Sequence, residues 1–195
     1  MVKVSIIIAG YNCSQTIERT LMSISKQCFS STEICFVNDG STDETWSVVE
    51  SFSKSSKLNL KMIDFKENKG PGAARNAAIK ISSGDLIAVM DADDIMLPTR
   101  LSEQVSFMEN HRDVDLIGGG QKLILAHGKT KDLYSPSSHN EILSSLFFKT
   151  TILHPTIMFR KRFMIKHKIK YEEDYFLGED YKLFTDFLEA GGRFY

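Results

Sequence analysis

Three aspartates, Asp91, Asp93 and Asp94, directly follow an unbroken apolar run at residues 86–90. A short run that is apolar on both sides is typical of a strand buried on both faces of a parallel sheet. Such a strand delivers the carboxylates to its carboxyl end, where open α/β sheets bind ligands. Crowded carboxylates repel one another and therefore need a cation or protons. The pattern predicts a site for Mg²⁺ or Mn²⁺ shared with substrate phosphates. The alternative is a helix cap followed by two solvated loop acids.

Asp39 occupies the same kind of position, at the end of the apolar run 34–37 and before a helical pattern. A carboxylate there can accept a hydrogen bond from the imide N–H of a uracil ring or from a ribose hydroxyl. A turn aspartate in the run Asn-Asp-Gly-Ser is the alternative. Asp43 is interpreted as a first-turn helix acid, because Ser41 and Glu44 form a capping-box pattern.

Gly70, Gly72 and Arg75 lie at the start of an alanine-rich helical pattern. A helix start of this kind favours anions through its free N–H groups and the helix dipole. The spacing matches the dinucleotide-binding fingerprint only weakly, because Arg75 fills the third glycine position and the segment lies far from the first strand.

Further polar groups lie in the second half of the chain. Glu179 and Asp180 begin a predicted helix, where one side chain can face a cleft while the other caps. His154, before Pro155, is either a core histidine or an acceptor contact. A basic run is interpreted as a solvated surface, with a phosphate-bearing acceptor or an anionic membrane surface as the alternative. The run comprises Lys161, Arg162, Lys166, His167, Lys168 and Lys170.

Strand and helix patterns alternate over the first half of the chain. Four strand–helix units are the signature of an α/β domain with a largely parallel sheet. The predicted strands are 2–9, 33–37, 58–65 and 86–90. The predicted helices are 14–27, one opened by Ser41, 73–81, and one with Pro98 in its first turn.

This order ends after His111. Strands are predicted at 113–117, 121–126 and 156–159, and helices at 138–148 and 179–190. The stretch 127–138 is predicted to be a polar loop and the most mobile part of the chain. Residues 193–195 read as the start of another strand, so we expect a truncated C-terminus.

The overall amino-acid composition limits the class of protein to which this chain can belong. The 195 residues, 42% hydrophobic and 25% charged, predict one soluble globular domain. A formal net charge of −1 gives no reason to expect nucleic-acid binding. Three cysteines without C-x-x-C spacing indicate reduced thiols in a cytosolic protein. Because no signal peptide or membrane span is recognisable, we predict a cytoplasmic protein with at most peripheral contact to the inner face of the membrane.

Together these segments resemble the family 2 glycosyltransferases of the GT-A fold. Each motif is weak alone, whereas the ordered set is highly specific and covers nearly the whole chain. Ala9-Gly10 departs from the pattern, because many relatives carry a proline-containing turn there. The motifs are Val4-Ser5-Ile6-Ile7-Ile8, Tyr11-Asn12, Val37-Asn38-Asp39-Gly40-Ser41-Thr42-Asp43, Asn68-Lys69-Gly70-Pro71-Gly72-Ala73-Ala74-Arg75-Asn76, Asp91-Ala92-Asp93-Asp94, His154-Pro155-Thr156 and Gly178-Glu179-Asp180-Tyr181.

The resemblance implies a Rossmann-like, mostly parallel central sheet flanked by helices, with a smaller mixed region on the acceptor side. It divides the single domain into a nucleotide-sugar half, 1–110, and an acceptor-side half, 111–195. It also implies sugar transfer from a nucleoside-diphosphate sugar, most often a UDP-sugar, to an acceptor hydroxyl with inversion. The implied acceptor is a saccharide or a lipid-linked saccharide, in polysaccharide or glycoconjugate synthesis.

The family pattern implies roles for individual residues. Asp180 would be the general base, and Asp93 the ligand of Mn²⁺ or Mg²⁺. Asp39 would bind the base, Asp91 the ribose, and Arg75 would lie beside the nucleotide. The remaining substrate contacts would come from Ala9, Tyr11, Asn12, Ala92, His154 and Glu179.

Two other functions fit part of the sequence. A nucleotidyltransferase that makes sugar nucleotides could share the sheet and the acidic metal site. It would carry a glycine-rich, basic phosphate loop after its first strand, where this chain has Ala9-Gly10-Tyr11-Asn12. A non-catalytic sugar- or protein-binding module is the second alternative. The sequence does not specify the donor sugar, the linkage or the oligomeric state.

Overall fold

The computed structural model describes residues 3–146, 148–149, 151–175 and 177–195. Its first half contains four strand–helix units, which confirms the alternation expected from the apolar patterns. The elements are β1 (Val4–Gly10), α1 (Ile17–Ser25), β2 (Thr32–Asn38), α2 (Thr45–Ser55), β3 (Leu60–Asp64), α3 (Pro71–Ile81), β4 (Leu86–Val89) and α4 (Arg100–Asn110).

Shorter elements follow in the second half. Single turns of 3₁₀ helix occur at Ala126–Gly128 and His154–Thr156. The regular elements are β5 (Leu116–Ile117), β6 (Gln121–Ile124), β7 (Thr130–Leu133), α5 (His139–Leu146), β8 (Met158–Arg160), α6 (Lys161–Lys166) and α7 (Glu179–Glu189). At the C-terminus Phe194 bridges Leu116 in parallel, in keeping with the strand predicted there.

Six strands form the main sheet in the order β3-β2-β1-β4-β8-β5. The first four are parallel, and Ile6 of β1 lies opposite Ile34 of β2 and Ala88 of β4. β8 runs antiparallel to both β4 and β5. The chain leaves β1 towards β2 on one side and later returns to β4 on the other. The loops after β1, β2 and β4 therefore flank a topological switch point, where open α/β sheets bind ligands.

Apolar side chains cover both faces of this sheet. Successive residues of a strand point to opposite faces, so neighbouring β1 residues enter different clusters. One cluster joins α1, α2 and α4 to the sheet through residues such as Ile6, Phe36, Leu21, Val49 and Leu101. The other joins α3, α5 and α7 through Ile7, Val37, Ala78, Ile142 and Phe184. Burial on both faces explains why the strands read as continuous apolar runs.

A buried carboxylate ties the strands together at their amino ends. Glu33 of β2 has no exposed side-chain surface, and its Oε2 lies 2.9 Å from Lys3 Nζ and 3.0 Å from Lys61 Nζ. The Ser5 hydroxyl donates to its Oε1 at 2.6 Å. Burial alone would raise the pKa of Glu33, but hydrogen bonds from Ser5 and Ser83 and from the two lysines hold it well below its ordinary value.

Helix α2 begins later than the predicted capping box of Ser41 and Glu44, so that prediction is wrong. Its first residue is Thr45, and Asp43 caps it by accepting the Thr45 N–H at 3.0 Å. The other oxygen of Asp43 accepts the N–H of Ser14 at 3.0 Å. Against the effect of burial, these bonds lower the pKa of Asp43 to about 2. A charge-assisted cap is stronger than a hydroxyl cap, which explains the change of capping residue.

Two predicted boundaries in other helices also shift. α4 begins at Arg100, so Pro98 precedes the helix instead of occupying its first turn. Ser138 does cap α5, accepting the N–H of Glu141 at 3.4 Å. The predicted continuation of that helix to residue 148 passes through Phe147, which lies outside the described residues.

The stretch predicted as a polar loop contains β7, so that prediction is wrong. β7 pairs antiparallel with β6, placing Leu123 opposite Lys131, and the two strands form a sheet of their own. The segment carries no apolar alternation because almost all of it is exposed.

The basic run contributes α6 and an exposed surface that includes Lys166 and Lys168. None of the described helices combines the length and apolar character needed to span a membrane.

Candidate active site

The carboxyl ends of β1, β2 and β4 bring the predicted site residues to one edge of the sheet. β1 ends at Gly10, β2 at Asn38 and β4 at Val89. Because the three strands are parallel neighbours, the loops that begin with Tyr11, Asp39 and Asp91 follow at the same edge. The sequence-based grouping of these segments is therefore reproduced by the sheet.

Asn12 locks the loop after β1 to the loop after β2. Its backbone adopts the left-handed conformation, with φ of 49°, which asparagine tolerates better than most residues. The Asn12 N–H donates to Ser41 Oγ at 3.0 Å, and Asn12 Oδ1 accepts the Thr42 N–H at 2.8 Å. Ser41 therefore stabilises the crevice wall and not a helix end. Tyr11, beside it, is half-exposed and available to a ligand.

Asp39 is buried and holds the loop that follows β3. Its Oδ1 accepts the backbone N–H of Lys69 at 2.8 Å. Burial raises the pKa of Asp39, and the hydrogen bond from Lys69 opposes that rise. Gly40 has φ of 66°, and a Cβ there would lie 2.3 Å from the carbonyl carbon of Glu67. Glycine at position 40 thus allows a close approach of the loop to the protein's own backbone. Base recognition by Asp39 stays a prediction.

Arg75 joins three separate parts of the chain inside the crevice. It lies in the first turns of α3, and its Nη1 donates to Glu179 Oε1 at 2.7 Å. Its Nη2 lies 3.4 Å from Asp91 Oδ1. The Arg75 side chain is only 11% exposed and that of Glu179 14%. Burial alone would lower the pKa of Arg75, but Tyr171, Asp91 and Glu179 raise it, so the guanidinium is a fixed positive charge.

The aromatic ring of Tyr171 packs against the guanidinium group of Arg75. The guanidinium carbon lies 5.5 Å from the centroid of the tyrosine ring, within cation–π range. The Tyr171 hydroxyl lies 2.9 Å from His154 Nε2. Two bonds clamp the tyrosine backbone to α3: Asn76 Nδ2 donates to Tyr171 O at 2.8 Å, and the Tyr171 N–H donates to Asn76 Oδ1 at 2.9 Å.

His154 is a core residue in this structure. Burial, with the nearby charge of Arg75, lowers the pKa of His154 well below its ordinary value, so its ring is neutral. Of the two interpretations left open by the sequence, the geometry supports the structural one. His154 lies behind Tyr171, and the direct substrate contact expected of it stays a prediction. Neither Tyr171 nor Asn76 was singled out from the sequence, although Asn76 directly follows Arg75.

The two acids at the start of α7 have different partners. Glu179 faces the crevice and accepts a hydrogen bond from Arg75. Asp180 is half-buried, and its Oδ1 accepts the N–H of Tyr181 at 2.7 Å. The neighbouring positions place both carboxylates on the first turn of one helix. Through Arg75, Glu179 ties the start of α7 to α3. The general-base role of Asp180 stays a prediction.

The acidic segment after β4 has the donor chemistry of a divalent-cation site. Burial raises the pKa of Asp91, with Arg75 opposing and Asp93 adding to the rise. Burial and the charges of Asp91 and Asp93 likewise raise the pKa of Asp94. Asp93 is exposed. Within the described ranges no three His, Cys, Asp or Glu side chains form a protein-only metal cage. Mg²⁺ commonly uses one or two carboxylates plus substrate phosphates and water, so these residues fit such an ion.

Backbone contacts fix the remaining predicted residues. The carbonyl of Ala92 accepts hydrogen bonds from Thr16 Oγ1 at 3.1 Å and Thr20 Oγ1 at 3.0 Å. This anchors the acidic segment to α1. Ala9 is half-buried on β1 opposite Val37. Thr20 lies on the buried face of the amphipathic helix α1, and Thr16 directly precedes that helix. Their spacing in the sequence does not indicate this contact with Ala92.

Arg100 balances the acidic segment from within the core. Its Nη2 donates to the carbonyls of Val89 at 2.9 Å and Ile157 at 3.3 Å. Burial lowers its pKa to about 10 despite the nearby charges of Asp94 and Asp91. The cation therefore links the end of β4 to the turn before β8, directly behind the carboxylates.

Known proteins resemble this chain in sequence. The sequence profile described as Glycosyl transferase family 2 matches residues 5–168. An uncharacterized glycosyltransferase of Haemophilus influenzae is 32% identical over 96% of this chain and 61% of its own length. The Escherichia coli enzyme UDP-Glc:alpha-D-GlcNAc-diphosphoundecaprenol beta-1,3-glucosyltransferase WfaP is 41% identical over 56% of this chain and 42% of its own.

The fold is also found in solved structures. The crystal structure of Staphylococcus aureus TarS 1–349 in complex with UDP-GlcNAc matches with a TM-score of 0.81 and 26% identity. The match covers 98% of this chain and 55% of that chain. The present chain thus spans about three fifths or less of the length of each of these three proteins.

Proposed function

Because the chain belongs to glycosyl transferase family 2, we propose that it transfers a sugar from a UDP-sugar to an acceptor hydroxyl. The observation that carries this proposal is the convergence of Arg75, Asp91 and Glu179 at the carboxyl edge of the sheet. A fixed cation beside a row of carboxylates suits a diphosphate and its counter-ion. The UDP-GlcNAc bound by TarS and the UDP-Glc in the name of WfaP support uridine in the donor.

The donor is proposed to lie across the switch point. Asp39 binds the base through an oxygen not used by Lys69, and Asp91 binds the ribose. Arg75 stabilises the negative charge of the diphosphate while Glu179 and Tyr171 hold its guanidinium in place. The walls of this pocket come from Ala9, Tyr11, Asn12 and Ala92.

Asp93 is proposed to hold a Mn²⁺ or Mg²⁺ ion. Such an ion supplies charge neutralisation for the departing diphosphate when it is bound. Burial and neighbouring carboxylates raise the pKa of Asp91 and of Asp94. A nearby cation stabilises the ionised form of such carboxylates. The role of the protein is to present these oxygens on a segment fixed by α1 and Arg100.

Asp180 is proposed as the general base. Its carboxylate takes the proton of the acceptor hydroxyl while that oxygen forms a bond to the anomeric carbon. The bond from this carbon to the nucleoside diphosphate breaks, and the diphosphate leaves with the electron pair. Attack opposite the leaving group inverts the anomeric centre. The first turn of α7 favours a negative charge at Asp180, and the adjacent Glu179 ties that turn to the donor side through Arg75.

The acceptor is proposed to be a saccharide or a lipid-linked saccharide, approached from residues 111–195. WfaP, whose name specifies a GlcNAc-diphosphoundecaprenol acceptor, supports the lipid-linked class. We place the reaction in the cytoplasm, at or near the inner face of the membrane, where nucleotide sugars meet such acceptors.

A donor panel tests the proposal on the intact protein. Release of nucleoside diphosphate is measured from UDP-, GDP- and CDP-sugars, with and without saccharide acceptors. Asp180→Asn should lower transfer about 10²- to 10⁴-fold and leave UDP affinity unchanged. Asp85→Asn is the matched control, because Asp85 is exposed at the opposite end of β4. Full transfer by Asp180→Asn would show that another group is the base. Pyrophosphate release from UTP and a sugar phosphate would instead identify a nucleotidyltransferase.

A further inference from the structure

The hairpin formed by β6 and β7 stands apart from the main sheet. Its strands pair only with each other among the described elements, with Lys122 opposite Asp132 and Ile124 opposite Thr130. A tight turn closes it, in which the Leu125 N–H donates to Lys129 O at 2.7 Å. A two-stranded hairpin is at best marginally stable alone in water. The hairpin therefore needs an anchor or a partner.

The base of the hairpin supplies the anchor. The Gly119 N–H donates to Thr156 Oγ1 at 3.0 Å, and the Leu153 N–H donates to Ser135 Oγ at 3.2 Å. Ser135 Oγ also donates to Gly119 O at 3.4 Å. Beyond this base every residue from 122 to 132 is exposed. The far end of the hairpin, residues 123–129, is accordingly exposed to solvent, and we call it the tip.

The tip carries apolar side chains on both of its faces. Leu123 is 39% exposed, Ile124 68% and Leu125 43%. Neighbouring residues in a strand point to opposite faces, so Leu123 and Ile124 cannot be covered by one flat partner. A protein surface packed on either face would leave the other apolar side chain in water. A lipid interface differs because it can surround a protruding tip on all sides.

Positive charge accompanies these apolar residues. Lys122, Lys129 and Lys131 lie on the hairpin with a single acid, Asp132, which pairs with Lys122 at 2.9 Å. For Lys129 and Lys131 the described residues provide no acidic side chain within ion-pair distance. The hairpin is thus basic within a chain of net charge −1. Apolar area combined with lysines is what anionic lipid surfaces attract.

We infer that the hairpin tip docks the protein on an anionic lipid surface, inserting Ile124 and Leu125 while Lys129 and Lys131 bind the headgroups. This inference does not rest on the proposed transfer reaction, because vesicle binding requires no donor or acceptor. It concerns a hairpin whose strands, among the described elements, pair with no strand of the main sheet. Sugar transfer and lipid docking can therefore fail independently.

Sedimentation with vesicles tests the inference. The intact protein is mixed with vesicles of phosphatidylcholine alone or with phosphatidylglycerol added, and the bound fraction is measured at low and high salt. Binding should require the anionic lipid and weaken with salt. Lys129→Gln with Lys131→Gln should reduce the partition coefficient about 25-fold, from about fivefold per lysine. Ile124→Ser with Leu125→Ser should reduce it roughly tenfold or more.

Two controls separate this surface from general basicity. Lys26→Gln with Lys57→Gln removes the same charge from exposed positions elsewhere and should change binding little. Lys166→Gln with Lys168→Gln tests the competing basic run. Unchanged circular dichroism and melting temperature confirm that each variant folds. The inference is overturned if the vesicles do not bind the protein, or if only the Lys166 and Lys168 variant loses binding. It is also overturned if Ile124→Ser with Leu125→Ser instead dissociates a dimer seen by sedimentation velocity without lipid.

Discussion

Replacing Glu179 by glutamine tests the central ion pair of the candidate site. The carboxylate accepts from Arg75 Nη1 at 2.7 Å, and both side chains are largely buried. Glutamine has nearly the same size and keeps one acceptor oxygen, so the packing is preserved. The substitution removes one of the two carboxylates that pair with Arg75 among the described residues and leaves Asp91, at 3.4 Å.

The expected loss of stability is the sum of two contributions. A hydrogen bond to a charged group contributes about 1.5–3 kcal/mol and a neutral one about 0.5–1.5 kcal/mol, so the exchange costs about 1–1.5 kcal/mol. Loss of an acid from the first turn of α7 adds about 0.3–1 kcal/mol. The total is about 1–2.5 kcal/mol, which corresponds to a melting temperature lower by roughly 2–10 °C for a chain of this size.

Thermal and urea unfolding of the intact protein measure this loss. Glu189→Gln is the matched control, because Glu189 is exposed at the other end of the same helix. It should be neutral or slightly stabilising, since an acid at a helix C-terminus opposes the dipole. An equal, small effect of Glu179→Gln and Glu189→Gln would refute the reasoning. In that case the ion pair with Arg75 contributes nothing measurable to stability.

Three further outcomes follow from the buried groups. Glu33→Gln should make the free energy of unfolding less sensitive to acid. The folded-state pKa of Glu33 is lowered, so its carboxylate stabilises the folded protein above the unfolded-state pKa. This stabilisation is lost as the pH falls towards the folded-state pKa. Unfolding midpoints measured from pH 7 to 3 check this, and parallel curves for both proteins would contradict it. UDP affinity should decrease as the pH falls through the raised pKa of Asp39, because the ionised carboxylate is a stronger acceptor for the imide N–H than the protonated acid. Calorimetry on the intact protein and Asp39→Asn tests this, and an identical pH profile would exclude Asp39 from base recognition. Tyr171→Phe leaves His154 unpaired and should cost about 1–3 kcal/mol of stability while UDP affinity holds. Tyr171→Leu should also weaken UDP binding, and equal UDP affinity in both variants would show that the ring does not position Arg75.

The sequence predicts the parallel half of the fold because the signal there is local. A strand buried on both faces must be apolar throughout, and its polar successor must lie at the carboxyl edge. This logic identifies Asp39 and Asp91 without knowledge of any contact. The capping of α2 is not predicted in this way, because Ser41 and Asp43 both fit a helix start. Asp43 provides the stronger, charge-assisted cap, and Ser41 is engaged by the distant residue Asn12.

Contacts between distant segments account for the other differences. β6 and β7 are stabilised by pairing with each other and not by burial, so their side chains lack the alternation that marks a strand. The role of Tyr171 depends on three partners far away in the chain, Arg75, Asn76 and His154. A single aromatic residue in a polar stretch gives no sign of such a position. The sequence could place Glu179 and Asp180 on one helix turn, but not decide which of them meets Arg75.

The position of Arg75 explains why the two halves of the crevice form one unit. Its helix, α3, is clamped through Asn76 to the backbone of Tyr171, which leads into the segment before α7. Glu179 on α7 in turn holds the guanidinium above the tyrosine ring. A change in the position of the guanidinium must therefore alter the first turn of α7, where Asp180 lies. Arginine carries five N–H donors in a fixed planar fork. The two carboxylates engage one donor on Nη1 and one on Nη2. The remaining donors can bind a phosphate without releasing Glu179, so donor binding and the placement of Asp180 are compatible in the same arrangement.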